Sequence, residues 1–248
     1  MNNAIKLCIS LDLSTAKENL ELVEQIKDFD VWLKVGFRSY IRDGKKFLED
    51  LKIINPNFKI FLDLKLYDIP NTMADAAFEI ANFGLVDMFN VHASAGKEAM
   101  RTVVERISNI PNKPLILAVT ALTSFDNDSF KAIYNENIST KATQFAKDSF
   151  QSGIDGVVCS AFESLDIKNN TSKDFITLCP GIRPFGEDSG DQKRVADITY
   201  SKENLVDFIV VGRPIYKSDN PKKVVEEILK NIWLSLYYFK YFLSDVVL

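Results

Sequence analysis

Eight short apolar runs recur along this 248-residue chain and constrain its fold more than any other feature. They span Lys6–Leu13, Val31–Phe37, Phe58–Leu66, Leu85–His92, Leu115–Leu122, Ile154–Ala161, Phe175–Ile182 and Leu205–Gly212. Their spacing, roughly 25–35 residues, is the length of a strand followed by a helix. Segments between them, such as Thr15–Asp28, Arg38–Leu51, Thr72–Phe83 and Lys97–Ser108, carry apolar residues at helical spacing. Eight such units without a linker-like break predict an α/β fold, a single-domain (β/α)8 TIM barrel. A doubly wound open sheet is the alternative, weakened because no Gly-x-Gly-x-x-Gly follows the first run. The barrel is assigned to residues 1–231. Residues 232–248, rich in Leu, Tyr and Phe, read as a C-terminal extension, expected to be a surface helix, with no role assigned.

Strand parity indicates where the chemistry lies. Side chains two apart on a strand share a face. Leu7, Ile9, Leu11 and Leu13 oppose Cys8, Ser10 and Asp12; Val31, Leu33 and Val35 oppose Trp32, Lys34 and Gly36. In the third run, Ile60, Leu62, Leu64 and Leu66 oppose Phe61, Asp63, Lys65 and Tyr67. In each case the apolar set suits packing beneath the outer helices. The other set faces the barrel interior and carries charges near the strand's carboxyl end, where barrel enzymes build their sites.

Composition limits the function classes. The chain has 30 Lys+Arg against 34 Asp+Glu, a net charge of −4, which gives no general attraction to nucleic acid or an anionic membrane. No apolar stretch is long enough to span a bilayer. The start, Met1-Asn2-Asn3-Ala4, lacks the pattern of a signal peptide. Cys8, Cys159 and Cys179 are too few and scattered for a disulfide framework and read as buried hydrophobes. A cytoplasmic location is expected. The sole histidine, His92, shares the inward parity of Asn90 and reads as structural, since one histidine without Cys/His spacing makes no metal site.

Two groups of residues carry chemistry. Asp63 and Lys65 share a face, Asp68 follows just beyond the strand, and Asp12 and Lys34 complete an alternating set of carboxylates and ammoniums. Carboxylates around a lysine hold it protonated and aimed, which suits proton donation to a carbanion. The second group follows strands seven and eight: Pro180-Gly181-Ile182-Arg183-Pro184 and Val211-Gly212-Arg213-Pro214. Loops there commonly bind phosphate. Gly212 would admit the backbone, and Arg183 and Arg213 would supply cations, unless both are surface ion-pair residues.

Taken together, these pieces resemble the orotidine 5′-phosphate decarboxylase family. Leu11-Asp12, Leu33-Lys34-Val35-Gly36 and the run Phe61 to Thr72 carry the resemblance. So do Val91-His92-Ala93-Ser94, Val119-Thr120-Ala121-Leu122-Thr123-Ser124, Val158-Cys159-Ser160-Ala161, the two arginine loops and Asp191-Gln192, all in the family's order over about residues 5–230. The resemblance implies a barrel homodimer that decarboxylates orotidine 5′-monophosphate to uridine 5′-monophosphate, with no cofactor and no metal. It implies that Lys65 protonates C6, that Asp63 crowds the departing carboxylate, and that Asp68 and Ile69 reach into the neighbouring subunit's site. Lys34 and Asp12 would hold the ribose, with Thr72 nearby. Thr123 would meet substrate from the strand-five loop, and Gln192, Arg183, Gly212 and Arg213 would grip the phosphate. Two alternatives stay open. A Mg²⁺-dependent sugar-phosphate lyase of the hexulose-phosphate synthase type shares Asp-x-Lys-x-x-Asp, but needs an acidic metal ligand where Lys34 stands. A non-catalytic nucleotide-binding barrel is the other.

Overall fold

A computed structural model describes residues 5–186 and 193–242, residues 234–242 by their backbone alone. Along the chain run β1 (Lys6–Ser10), α1 (Ala16–Gln25), β2 (Trp32–Gly36), α2 (Phe37–Ile54), β3 (Lys59–Leu66), α3 (Pro70–Asn82), β4 (Met88–His92), α4 (Gly96–Ile107) and β5 (Leu115–Val119). They are followed by α5 (Asn127–Tyr134), α6 (Ile138–Gln151), β6 (Gly156–Val158), α7 (Ala161–Asn170), β7 (Ile176–Cys179), α8 (Ile198–Glu203), β8 (Phe208–Val211), α9 (Arg213–Tyr216) and α10 (Pro221–Phe242). The eight strands are parallel and close into a barrel in sequence order, β8 pairing with β1. All eight apolar runs became strands.

Local signals set the helix starts. Thr15 and Glu18 form a capping box at α1, and Ser160 and Glu163 form another at α7. Pro70 opens α3 immediately after the charged strand-three motif, its fixed φ already helical. Strand alternation sorts the core into two layers. Cys8, Phe61, Met88, Leu117, Val158, Leu178, Phe208 and neighbours fill the barrel interior. Leu7, Ile9, Leu33, Val35, Ile60 and Leu62 pack outward beneath the helices. All three cysteines are free and buried. No helix among the described residues is long and apolar enough to cross a membrane.

The strands are shorter than the apolar runs, and β3 departs from simple alternation. β1 ends at Ser10, so Asp12 stands on the loop beyond it. In β3 the register against β4 shifts between Leu62 and Leu66, and Lys65 takes a left-handed backbone with φ of 52°. Tyr67 therefore does not continue the inward row. It lies past the strand end, 65% exposed, with its ring 5.7 Å from that of His92.

Aspartates brace the opposite, amino-terminal rim. Asp87, Asp155 and Asp207 immediately precede β4, β6 and β8. Their carboxylates accept the amides of Ile60, Ile116 and Thr177 on the preceding strand of the barrel, at 2.9, 2.8 and 2.8 Å. Their backbone carbonyls accept from the following strand, at Leu115, Ile176 and Lys6. Each aspartate thus ties both flanking strands. Asp207 also pairs at 2.8 Å with Lys168, whose side chain is only 3% exposed. Replacing Asp207 with Ala leaves a buried ammonium without its counter-ion and should destabilise the fold by about 3–5 kcal/mol. Thermal unfolding should show the melting temperature falling by roughly 10 °C; a change of about 2 °C or less would show that the rim does not depend on this pair.

Candidate active site

The carboxyl ends of the strands surround a cavity of about 280 Å³. Asp12, Lys34, Asp63 and Lys65 form one wall, with Ser10 and Phe61 beneath them. Thr123, Arg183, Gly212 and Arg213 come to the same cavity from the loops after β5, β7 and β8. Eight of the residues expected from sequence are therefore brought together.

The charges form a chain. Lys34 Nζ lies 3.5 Å from Asp12 Oδ1 and 3.4 Å from Asp63 Oδ2, and Lys65 Nζ donates to Asp63 Oδ1 at 2.6 Å. Carboxylate and ammonium alternate along the whole wall. Burial alone would raise the Asp63 carboxyl, but Lys34, Lys65 and hydrogen bonds from Lys65 and Asn90 outweigh it and hold the group below the usual carboxylate range. Burial alone would lower Lys34, but Asp63 and Asp12 raise it above the ordinary lysine value. Asp63 is thus an anion and Lys34 a cation at neutral pH. Gly36 makes room for this arrangement, since a Cβ there would come within 3.1 Å of Lys34 Nζ.

The residues after β7 and β8 line the same cavity. Arg183 is buried and donates to the Ile182 carbonyl at 3.1 Å. At Gly212 a Cβ would lie 3.1 Å from Cβ of Ser10 and 3.3 Å from the Tyr216 ring, so the backbone here runs close against the floor and a side chain would crowd it. Arg213 is the first residue of α9, directly above it.

Other expected residues stand elsewhere. Asp68, Ile69 and Thr72 are exposed on the segment from the end of β3 into α3, away from the cavity lining. The Asp68 carboxylate accepts from the Ile69 amide at 2.7 Å, and Ile69 is 66% exposed. Gln192 lies outside the described residues.

Sequence reasoning missed two features of the site. Asn90 is fully buried beside the charged wall, bonded to both Asp63 and the Lys65 backbone; strand parity placed it inward without a partner. Arg194 pairs with buried Glu163 and reaches the carbonyls of Ala121 and Leu122 on the loop after β5. Nothing in the sequence joins positions so far apart. Among the described residues no group of three or more His, Cys, Asp or Glu side chains could hold a metal ion.

The family model described as "Orotidine 5′-phosphate decarboxylase / HUMPS family" matches residues 5–228. The chain belongs to this family. Among relatives of the orotidine 5′-phosphate decarboxylase family, the orotidine 5′-phosphate decarboxylase of Sulfurimonas denitrificans is 67% identical over 228 residues, covering 92% of this chain and all of the relative. That of Campylobacter jejuni subsp. doylei is 58% identical over the same shares. The crystal structure of orotidine 5′-phosphate decarboxylase from Lactobacillus acidophilus superposes with a TM-score of 0.79 at 31% identity, covering 92% of this chain and 99% of that one.

Proposed function

We propose that this chain is a carboxy-lyase that converts orotidine 5′-monophosphate to uridine 5′-monophosphate in pyrimidine nucleotide synthesis, without a metal or organic cofactor. The unbroken series Asp12–Lys34–Asp63–Lys65 at the cavity wall is the observation that carries this reading. Family membership and the names of close relatives support the substrate.

In the proposed reaction the C6–carboxylate bond breaks, carbon dioxide leaves, and the electron pair stays on C6. Lys65 donates a proton from Nζ to that carbon and regains one from solvent. Asp63 faces the substrate carboxylate and favours its loss, a contribution realised as the charge leaves the ring. Lys34 and Asp12 hold the ribose hydroxyls, with Thr72 nearby, while Thr123 meets substrate from the β5 loop. Arg183, Gly212, Arg213 and Gln192 grip the phosphate. Asp68 and Ile69 act across a homodimer interface. Their exposure, with that of Tyr67, supports this, because a second copy would cover an apolar segment otherwise left in water.

The reading also includes the division into a barrel, 1–231, and an extension, 232–248, supported by the family match ending at residue 228. The buried free thiols suit a reducing cytoplasm. Lys34 weighs against the Mg²⁺-dependent lyase, since its ammonium stands where that enzyme type needs an acidic metal ligand.

Incubating the protein with orotidine 5′-monophosphate and following pyrimidine absorbance, with and without chelator, tests the assignment. Chelator-insensitive turnover is expected; absence of turnover, or its loss with chelator, would overturn it.

Arg213 separates phosphate binding from ring chemistry. A charge-assisted contact to phosphate is worth about 1.5–3 kcal/mol, so Arg213→Ala should lower kcat/KM for the nucleotide by roughly 10- to 150-fold. Orotidine, which lacks the phosphate, should lose little. Equal losses on both substrates would remove Arg213 from the phosphate site.

A further inference from the structure

We infer that Asn90 is a positioning residue that sets the angle between Asp63 and Lys65, an inference resting on the decarboxylase reading of the cavity. Lys65 sits in the left-handed region, φ 52°, which residues with a Cβ rarely occupy. The register shift in β3 leaves the Lys65 amide without its regular place in the ladder. Asn90 Oδ1 accepts that amide at 2.7 Å. Because a backbone amide can only donate, the oxygen of the Asn90 side chain must face it, and the NH2 group must face Asp63. It does so, donating to Asp63 Oδ1 at 2.8 Å.

The same Asp63 oxygen accepts from Lys65 Nζ at 2.6 Å. One neutral side chain therefore grips the backbone of the lysine and the carboxylate that the lysine's own ammonium touches. Asn90 is fully buried, so water cannot take over either bond. Both bonds need an asparagine-shaped group, with an acceptor on one side and a donor on the other. A leucine or alanine would leave the Lys65 amide and one Asp63 lone pair unmet. Asp63 would then turn toward Lys34, which lies 3.4 Å from its other oxygen, and Lys65 would lose its aim at the ring.

Asn90→Ala and Asn90→Asp test this together. Asn90→Ala should lower kcat by about 10²–10³-fold, the range for loss of one preorganised donor, with uridine 5′-monophosphate affinity held within about threefold. Asn90→Asp keeps the shape. When protonated, the introduced carboxyl accepts from the Lys65 amide and donates to Asp63, restoring both bonds. When ionised it repels Asp63 and cannot donate. The groups facing this position are Asp63 and Lys65 on β3, Lys34 on β2 with Asp12 beyond it, and His92 on the same strand; β5 presents apolar Leu117 and Val119. Asp63 favours retention of the proton and the two lysines oppose it.

Activity of Asn90→Asp should accordingly rise relative to the parent as pH falls. The ratio of the two kcat values is expected to increase at least about tenfold from pH 8 to pH 6. The parent measured over the same pH range carries the background titration of the groups both proteins share. A purely structural Asn90 would lower the melting temperature of the variant and leave this ratio flat. If the parent turns over orotidine 5′-monophosphate and the ratio is flat, or kcat of both variants stays within about threefold of the parent, the positioning role is overturned and the function stands. A parent with no turnover overturns both. Should Asn90→Ala fail to fold, the pH ratio of Asn90→Asp alone decides.

Discussion

Lys65→Ala is expected to lose at least about 10⁴-fold in turnover while still binding uridine 5′-monophosphate. General acids alone contribute about 10²–10⁴-fold. This substitution goes further, because it also removes the cation that Asp63 Oδ1 touches at 2.6 Å. Asp63 would keep Lys34 as its only ionic neighbour on the wall, and a carbanion at C6 would have no donor beside it. Binding should survive, since Arg183, Gly212 and Arg213 reach the cavity from the loops after β7 and β8 and not from β3. Absorbance assays give the rate and titration with the product nucleotide gives the affinity. Turnover within about tenfold of the parent would remove Lys65 from the proton-transfer step.

Mixing two inactive variants should restore activity. The proposed reading puts Asp68 in the neighbouring subunit's site, so Asp68→Ala and Lys65→Ala proteins should each be nearly inactive. In a heterodimer of the two, one site combines an intact Lys65 with the intact Asp68 of the partner subunit, and the other site lacks both. Random exchange puts about half of the dimers in this form, with one working site in each, so roughly a quarter of parental activity should return. The exchange is verified with differently tagged subunits. Absence of recovery in verified heterodimers would mean that Asp68 serves its own chain. The geometry favours exchange: within one chain the Asp68 carboxylate accepts from the Ile69 amide, on an exposed segment outside the cavity lining.

The fold was legible because two independent periodicities agree. Apolar runs recur at the length of a strand–helix unit, and within them the residues alternate between two buried faces. That alternation also placed Asp12, Lys34, Asp63 and Lys65 on one wall, since adjacent parallel strands put matching parities side by side. What could not be read was where alternation stops. Neither Lys65 nor its neighbours is a glycine or asparagine, so residue type gives no sign of the left-handed turn that carries Tyr67 out of the barrel. Asn90 was placed on the inward face, yet its bond to the Lys65 amide exists only because of that turn. Arg194 and Glu163 meet through tertiary closure alone, beyond the reach of local spacing.

The braced rim at the other end of the barrel has a gap. Asp87, Asp155 and Asp207 each lock three consecutive strands, but the residue before β2 is Val31, whose amide turns back to the Phe29 carbonyl. The quasi-fourfold belt therefore has three clasps and leaves β2 without one on either side, toward β1 and toward β3. Lys34 stands on β2 between these two seams and pairs across both, with Asp12 beyond β1 and with Asp63 on β3. At the top of the barrel these two ion pairs take the place of the clasp that β2 lacks at the bottom. A bound nucleotide that engages Lys34 and Asp12 would thus fasten one of these two junctions, coupling occupancy of the site to cohesion of the barrel.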